Sequence, residues 1–136
     1  MLFRSAFVGY APLGRGLLTG RIRTIDDMPA NDRRRRHPRF QPENLARNVG
    51  LVAQLDAIAK AKGVSSSQLA IAFLLAQGDH VIPIPGTNHI ANLEQNVAAV
   101  DINLSAAETQ KLSDIFAPGS GAGERYVPNA LKGVWL

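Results

Sequence analysis

Apolar positions recur along this chain in two different periods. Ala6-Phe7-Val8-Gly9-Tyr10 and Val81-Ile82-Pro83-Ile84 are short continuous apolar runs, and both read as buried strands. Between them Leu45, Val49, Val52, Leu55, Ile58 and Ala59 return at helical spacing. They predict an amphipathic helix from about Glu43 to Lys62, ended by Gly63. Ser65 and Gln68 make a capping-box pattern for a second helix, about Ser66 to Gln77. Its stretch from Leu69 to Ala76 is apolar all round and needs cover on more than one side. A third helix is expected over about Asn88 to Val100, with Asn88 as N-cap. Ser105 and Glu108 cap a fourth, carried by Leu112, Ile115 and Phe116. Helices alternating with apolar strands predict parallel α/β architecture, the two strands parallel and the crossover right-handed. Ala11 to Gly20 is a glycine-rich loop, and Arg21 to Pro42 reads as an irregular surface excursion. Pro118 to Gly123 is a flexible break.

Composition changes this picture little. The 136 residues suffice for one domain with a core, and 46% hydrophobic with 19% charged residues is a globular balance. There is no cysteine, so a disulfide scaffold and a cysteine zinc site are excluded. No apolar run approaches the roughly 18 residues of a membrane span. Met1-Leu2-Phe3-Arg4 leads straight into a strand-like run without a signal peptide's pattern, so a cytoplasmic location is expected.

Charge matters more. The net charge is +4, and much of the excess sits in Arg33-Arg34-Arg35-Arg36-His37-Pro38-Arg39. Such a run could be a phosphate-binding arm, but no aromatic residue is interleaved and no nucleic-acid motif accompanies it. A solvated loop is the reading taken, with no nucleic acid and no membrane as partners.

The candidate chemistry lies at the second strand. Val81 to Ile84 stops at Pro85-Gly86, and Thr87-Asn88 then precede a helix. Strand, tight turn and helix start together suit an anion, because unpaired N–H groups point outward there. Gly86 clears a side chain where backbone would meet a ligand. Corners of this kind also occur where nothing binds.

Ile84-Pro85-Gly86-Thr87 followed by Leu93-Glu94-Gln95-Asn96 resembles the last barrel strand and following helix of aldo-keto reductases. Tyr10-Ala11-Pro12-Leu13-Gly14-Arg15-Gly16-Leu17-Leu18-Thr19-Gly20 is similar to that family's loop after the seventh strand. The likeness runs from about Ala6 to about Pro128, and Asp32 to Asn44 resembles an insertion seen in one branch of the family. The resemblance implies a fold class of α/β, the C-terminal portion of a (β/α)8 barrel, with two parallel strands plus about four helices. Residues 1–136 would form one partial domain.

It also implies an oxidoreductase that reduces aldehydes or ketones with NADPH. Tyr10 would stack on the nicotinamide, although a tyrosine ending a strand is otherwise a routine core residue. Pro12, Leu13, Gly14, Gly16 and Leu17 would form the pyrophosphate loop, which could equally be a plain turn. Gly86, Thr87 and Asn88 would hold the 2′-phosphate, and Gln95 and Asn96 would face the adenine.

Two departures qualify the implication. Asn92 stands where relatives usually carry an arginine, and Asn88 and His89 replace basic residues, so no strong cation remains in this half of the site. NADP is the expected cofactor and NAD is possible. Arg15 reads as a solvated charge or as an outside phosphate partner. A barrel also needs about 250 residues and eight strands. The family's catalytic Asp, Tyr, Lys and His find no counterpart, since Tyr10 and Tyr126 are the only tyrosines and His37, His80 and His89 match no catalytic motif. The chain therefore reads as a fragment, inactive alone, with no catalytic and no metal residues. It would need the missing N-terminal half, or oligomerisation, for stability. A non-catalytic nucleotide-binding module and a basic nucleic-acid-binding protein are the alternatives.

Overall fold

The computed structural model describes residues 5–131; the lead-in Met1 to Arg4 lies outside them. Its elements run β1 (Phe7–Tyr10), α1 (Pro42–Lys62), α2 (Ser66–Leu75), β2 (Val81–Ile84), α3 (Ile90–Ala98), α4 (Ala106–Ile115) and a single turn, α5 (Pro128–Leu131). The sheet among the described residues has two strands, parallel as expected. Phe7 lies opposite Val81 and Tyr10 opposite Ile84.

α1 starts with Pro42 in its first turn, where a missing N–H costs nothing. Its buried stripe is Leu45, Asn48, Val52, Leu55 and Ala59, alternating three- and four-residue steps. Both capping boxes form. Ser65 Oγ accepts from the Gln68 N–H at 3.2 Å while Gln68 Oε1 accepts from the Ser65 N–H at 3.0 Å. Ser105 and Glu108 repeat the exchange at 3.2 and 2.8 Å. Glu108 also pairs with Lys62 at 2.8 Å and so ties α4 to the end of α1.

The core has two parts. Leu55 and Ala59 of α1, Leu69 and Ala70 of α2 and Leu112 of α4 pack together. Leu17, Ile22, Met28 and Phe40 pack on Leu45 and Val52, which seats the loop after β1 and the whole 21–42 excursion on α1. Three- to four-residue 3₁₀ turns at 25–27, 33–36 and 38–40 carry that excursion, and another at 14–19 lies in the loop after β1.

Three expectations are corrected. The strands are not buried: Gly9 is, but Phe7, Val8, Tyr10, Ile82 and Ile84 are each about half exposed or more. The described residues supply no third strand to pair an edge and no layer for the second face. α3 begins at Ile90 rather than Asn88, with His89 at the N-cap position, and its apolar Ile90, Leu93 and Val97 face outward. The arginine run is only partly solvated. Arg34 is held by Asp32 at 2.6 Å and donates to the Arg15 carbonyl at 3.0 Å. Arg35 donates to the Ile25 and Met28 carbonyls, both at 2.7 Å. An excursion without regular backbone pairing leaves carbonyls to satisfy, and long cationic side chains satisfy them. Arg33 and Arg36 stay exposed.

Candidate functional site

The parallel register decides where the two motifs meet. With Tyr10 beside Ile84, both strands end at the same edge, and the segments starting at Ala11 and Pro85 leave it side by side. Ligands of parallel α/β folds sit outside these carboxyl ends. Here the two segments and one face of α3 enclose a cleft of about 320 Å³. Leu13 and Gly16 line it from the first segment, Gly86 and Thr87 from the second, and Asn92, Gln95 and Asn96 from α3. The last three lie at i, i+3 and i+4, which places them on one helix face.

The loop's backbone is unusual. Ala11 and Arg15 have positive φ (51° and 57°) although they carry side chains, and Gly14 and Gly16 flank Arg15 at 57° and 91°. Such conformations cost free energy and persist where their surroundings impose them. For Gly16 the fold itself explains the glycine: a Cβ would lie 3.0 Å from Arg34 Nη1. Gly86 differs. Its φ is not left-handed, and a Cβ there would meet nothing within 4 Å. The fold leaves that position free for a side chain, yet it is bare and faces the cleft.

The helix start is open as well. α3 has no side-chain cap. Thr87 Oγ1 accepts from the His89 N–H at 3.1 Å, which shapes the turn without filling the leading N–H groups of α3. Asn88 is exposed and outside the cleft, so it neither caps the helix nor lines the cavity. Asn96 is 9% exposed, lines the cleft, and its amide finds no partner among the described residues. Its amide atoms stay open to the cleft and are not sealed from solvent.

Electrostatics add one cation the sequence pattern did not predict, Arg21, beside Arg15, which it offered only as an outside phosphate partner. Arg15 and Arg21 both line the cleft, and no carboxylate does. Both arginines come from the segment after β1, opposite Asn92. Arg15 is half-buried rather than simply solvated; its Nη1 donates to the Arg125 carbonyl at 3.0 Å, and its guanidinium lies 5.0 Å from the Tyr126 ring centroid. Ser67, in the first turn of α2, and Thr19 complete the polar wall. Arg21 directly follows the glycine-rich loop, and that adjacency was its only sequence signal.

The remaining candidates lie elsewhere. Tyr10 is exposed at the strand end, with Arg125 5.6 Å from its ring centroid. Gly14 and Leu17 line a neighbouring cavity, and Pro12 lines neither. No cluster of three or more His, Asp or Glu residues suited to a metal exists among the described residues, and none of their helices is long and apolar enough to cross a membrane.

A model of the aldo/keto reductase family matches residues 5–117. The chain is 44% identical over 129 residues to aldo-keto reductase yakc [NADP(+)] of Schizosaccharomyces pombe, covering 95% of this chain and 38% of that protein. It is 40% identical over 119 residues to probable aldo-keto reductase 1 of Glycine max, covering 88% and 34%. It is 40% identical over 129 residues to aldo-keto reductase str7 of Strobilurus tenacellus, covering 95% and 38%. The chain therefore spans little more than a third of the length of the curated relatives it matches.

Proposed function

The chain belongs to the aldo/keto reductase family, and on that premise we propose that it supplies the nucleotide-holding part of an NADPH-dependent carbonyl reductase. The observation that carries this reading is the cleft at the strand ends. It combines a bare Gly86, an uncapped helix start, two arginines without a carboxylate and the Asn96 amide open to the cleft. Each suits one part of an adenine dinucleotide phosphate. Arg21 and Arg15 offer charge-assisted bonds to phosphate oxygens. The α3 start and Gly86 offer backbone N–H groups. Asn96, with Gln95 beside it, offers an amide to the adenine edge. Two cations favour the form carrying a 2′-phosphate over NAD, in keeping with the NADP(+) in the printed name of the yeast relative.

When bound, the nicotinamide nucleotide supplies a hydride to a carbonyl carbon. The residues of this chain hold the nucleotide's phosphates and adenine in place, and Tyr10 gives the ring at the strand end a stacking surface. The proton donor and the substrate pocket are assigned to family segments without a counterpart here. Neither Tyr10 nor Tyr126 has a lysine beside it in sequence. The exposed Phe7, Val8, Ile82, Ile84 and the outer face of α3 are the surfaces that further strand-helix units, or a second copy, would cover.

The test is titration calorimetry with NADPH, NADH and 2′,5′-ADP. NADPH is expected to bind more tightly than NADH and to be displaced by 2′,5′-ADP. Asn96→Leu should weaken all three. Equal affinity for NADPH and NADH, or indifference to Asn96→Leu, would remove the assignment. The same preparation is expected not to oxidise NADPH with aldehydes or ketones, because holding both reactants supplies roughly 7–11 kcal/mol of such a barrier.

A further inference from the structure

A second cavity, of about 350 Å³, meets the nucleotide cleft at Ala11 and Arg15 and lies between α1, the loop after β1 and the segment after α4. Its apolar walls include Leu17, Leu51, Val52 and Phe116. Arg15, Arg39 and Arg125 line it too, and no acidic residue does. Elsewhere among the described residues half-buried Arg34 and Lys62 each have a carboxylate within 2.8 Å, and half-buried Arg35 gives two donors to carbonyls at 2.7 Å. The three arginines of this cavity have no carboxylate. Arg15 gives one donor to the Arg125 carbonyl at 3.0 Å, and Arg39 gives one to the Gly123 carbonyl at 3.3 Å. The rest of each five-donor fork is left for something else.

The wall is fixed rather than collapsed. Buried Asn48 donates to the Ala122 and Arg39 carbonyls at 3.0 and 3.1 Å and accepts from the Ala122 N–H at 2.7 Å. This pins the segment after α4 against α1. The local positive charge is felt by His37, whose imidazole is held below its ordinary pKa by burial first and by Arg15 second.

We propose that this cavity binds a small amphipathic carboxylate, an anionic head on an aromatic or branched aliphatic body. Three like charges around one space repel each other; tyrosine rings face Arg15 and Arg125, and exposed Arg125 is also met by solvent, but no carboxylate among the described residues neutralises any of the three. A planar carboxylate matches an arginine fork in a bidentate way. The apolar walls favour a ligand with a hydrocarbon body over a bare inorganic anion. The volume is at the lower end of the roughly 300–1,000 Å³ usual for small-molecule sites. The proposal does not rest on nucleotide binding and stands if that fails.

The experiment titrates the purified chain with 4-phenylbutyrate, and separately with inorganic phosphate at matched ionic strength. One-to-one binding of phenylbutyrate is expected, with phosphate weaker by at least about tenfold. Arg39→Gln should weaken phenylbutyrate by about tenfold or more, the loss of one charge-assisted pair. Leu51→Glu, which places a carboxylate among the arginines without touching the Asn48 bonds, should do the same with an unchanged circular dichroism spectrum. That second variant decides the matter if Arg39→Gln disturbs the fold. Absence of saturable binding, equal affinity for phosphate, indifference to Leu51→Glu, or one-for-one displacement by 2′,5′-ADP would each overturn the proposal.

Discussion

Two glycines in the candidate cleft separate what the fold needs from what a ligand needs. Gly16→Ala forces a side chain into left-handed backbone at φ 91°, which costs about 1–2 kcal/mol. The new Cβ would also sit 3.0 Å from Arg34 Nη1. That nitrogen donates to the Arg15 carbonyl at 3.0 Å, and displacing it loses a further 0.5–1.5 kcal/mol or so. Reduced freedom of the unfolded chain returns about 0.4–1 kcal/mol. The net expectation is a loss of about 2 kcal/mol, whatever the ligand. Gly86→Ala meets neither obstacle, since its φ is not left-handed and its Cβ would touch nothing within 4 Å. It should leave stability unchanged or raise it by up to about 1 kcal/mol. In the cleft, however, its methyl would hold a phosphate oxygen off the backbone, at a cost of about 1.5 kcal/mol or more. That is roughly tenfold in affinity. Urea unfolding followed by circular dichroism gives the first quantity, and calorimetry with 2′,5′-ADP gives the second. The reasoning fails if Gly86→Ala binds 2′,5′-ADP within about twofold of the parent, or if Gly16→Ala unfolds at the parent's urea concentration.

Arg21→Gln should weaken 2′,5′-ADP more than 5′-ADP, and Asn92→Arg should strengthen NADPH more than NADH; calorimetry that finds the same change for both members of either pair would contradict the cation assignment. Asp32 titrates at about 2 rather than 3.8, first because of the Arg34 side chain and then because of its N–H. A lowered folded pKa stabilises above the unfolded value and is lost as pH falls through the folded one. Asp32→Asn should therefore cost about 1 kcal/mol at neutral pH, allowing for solvent screening, and urea midpoints of the two forms should converge as pH drops toward 2. Phe7, Ile82, Ile84, Ile90 and Val97 leave a wide apolar surface open, so analytical ultracentrifugation of the isolated chain should show self-association. A monodisperse monomer that melts cooperatively would argue against that.

What the sequence determined by itself was local. The capping pairs Ser65–Gln68 and Ser105–Glu108 formed as read, because their partners are three residues apart and need no distant help. The stripe of α1 emerged from its 3.6-residue period, and the strand-helix-helix-strand order led to a parallel pair. The two motif segments were legible as well, since their residues are contiguous. Asn48 escaped, because a polar residue in an apolar stripe looks like an interruption until Ala122, 74 positions away, supplies its partners. The arginine run looked solvated for the same reason: the carbonyls that hold Arg34 and Arg35 become neighbours only when the 21–42 excursion folds onto α1. Burial of the strands could not be read either, because apolar composition says that a strand wants cover and not that the described residues provide it. The cleft's cations are the clearest case. Asn92 pointed to a missing charge, and only the side-by-side emergence of two loops from a parallel sheet edge brought Arg21 and Arg15 to face it, a contact between distant segments that leaves no periodic trace in the chain.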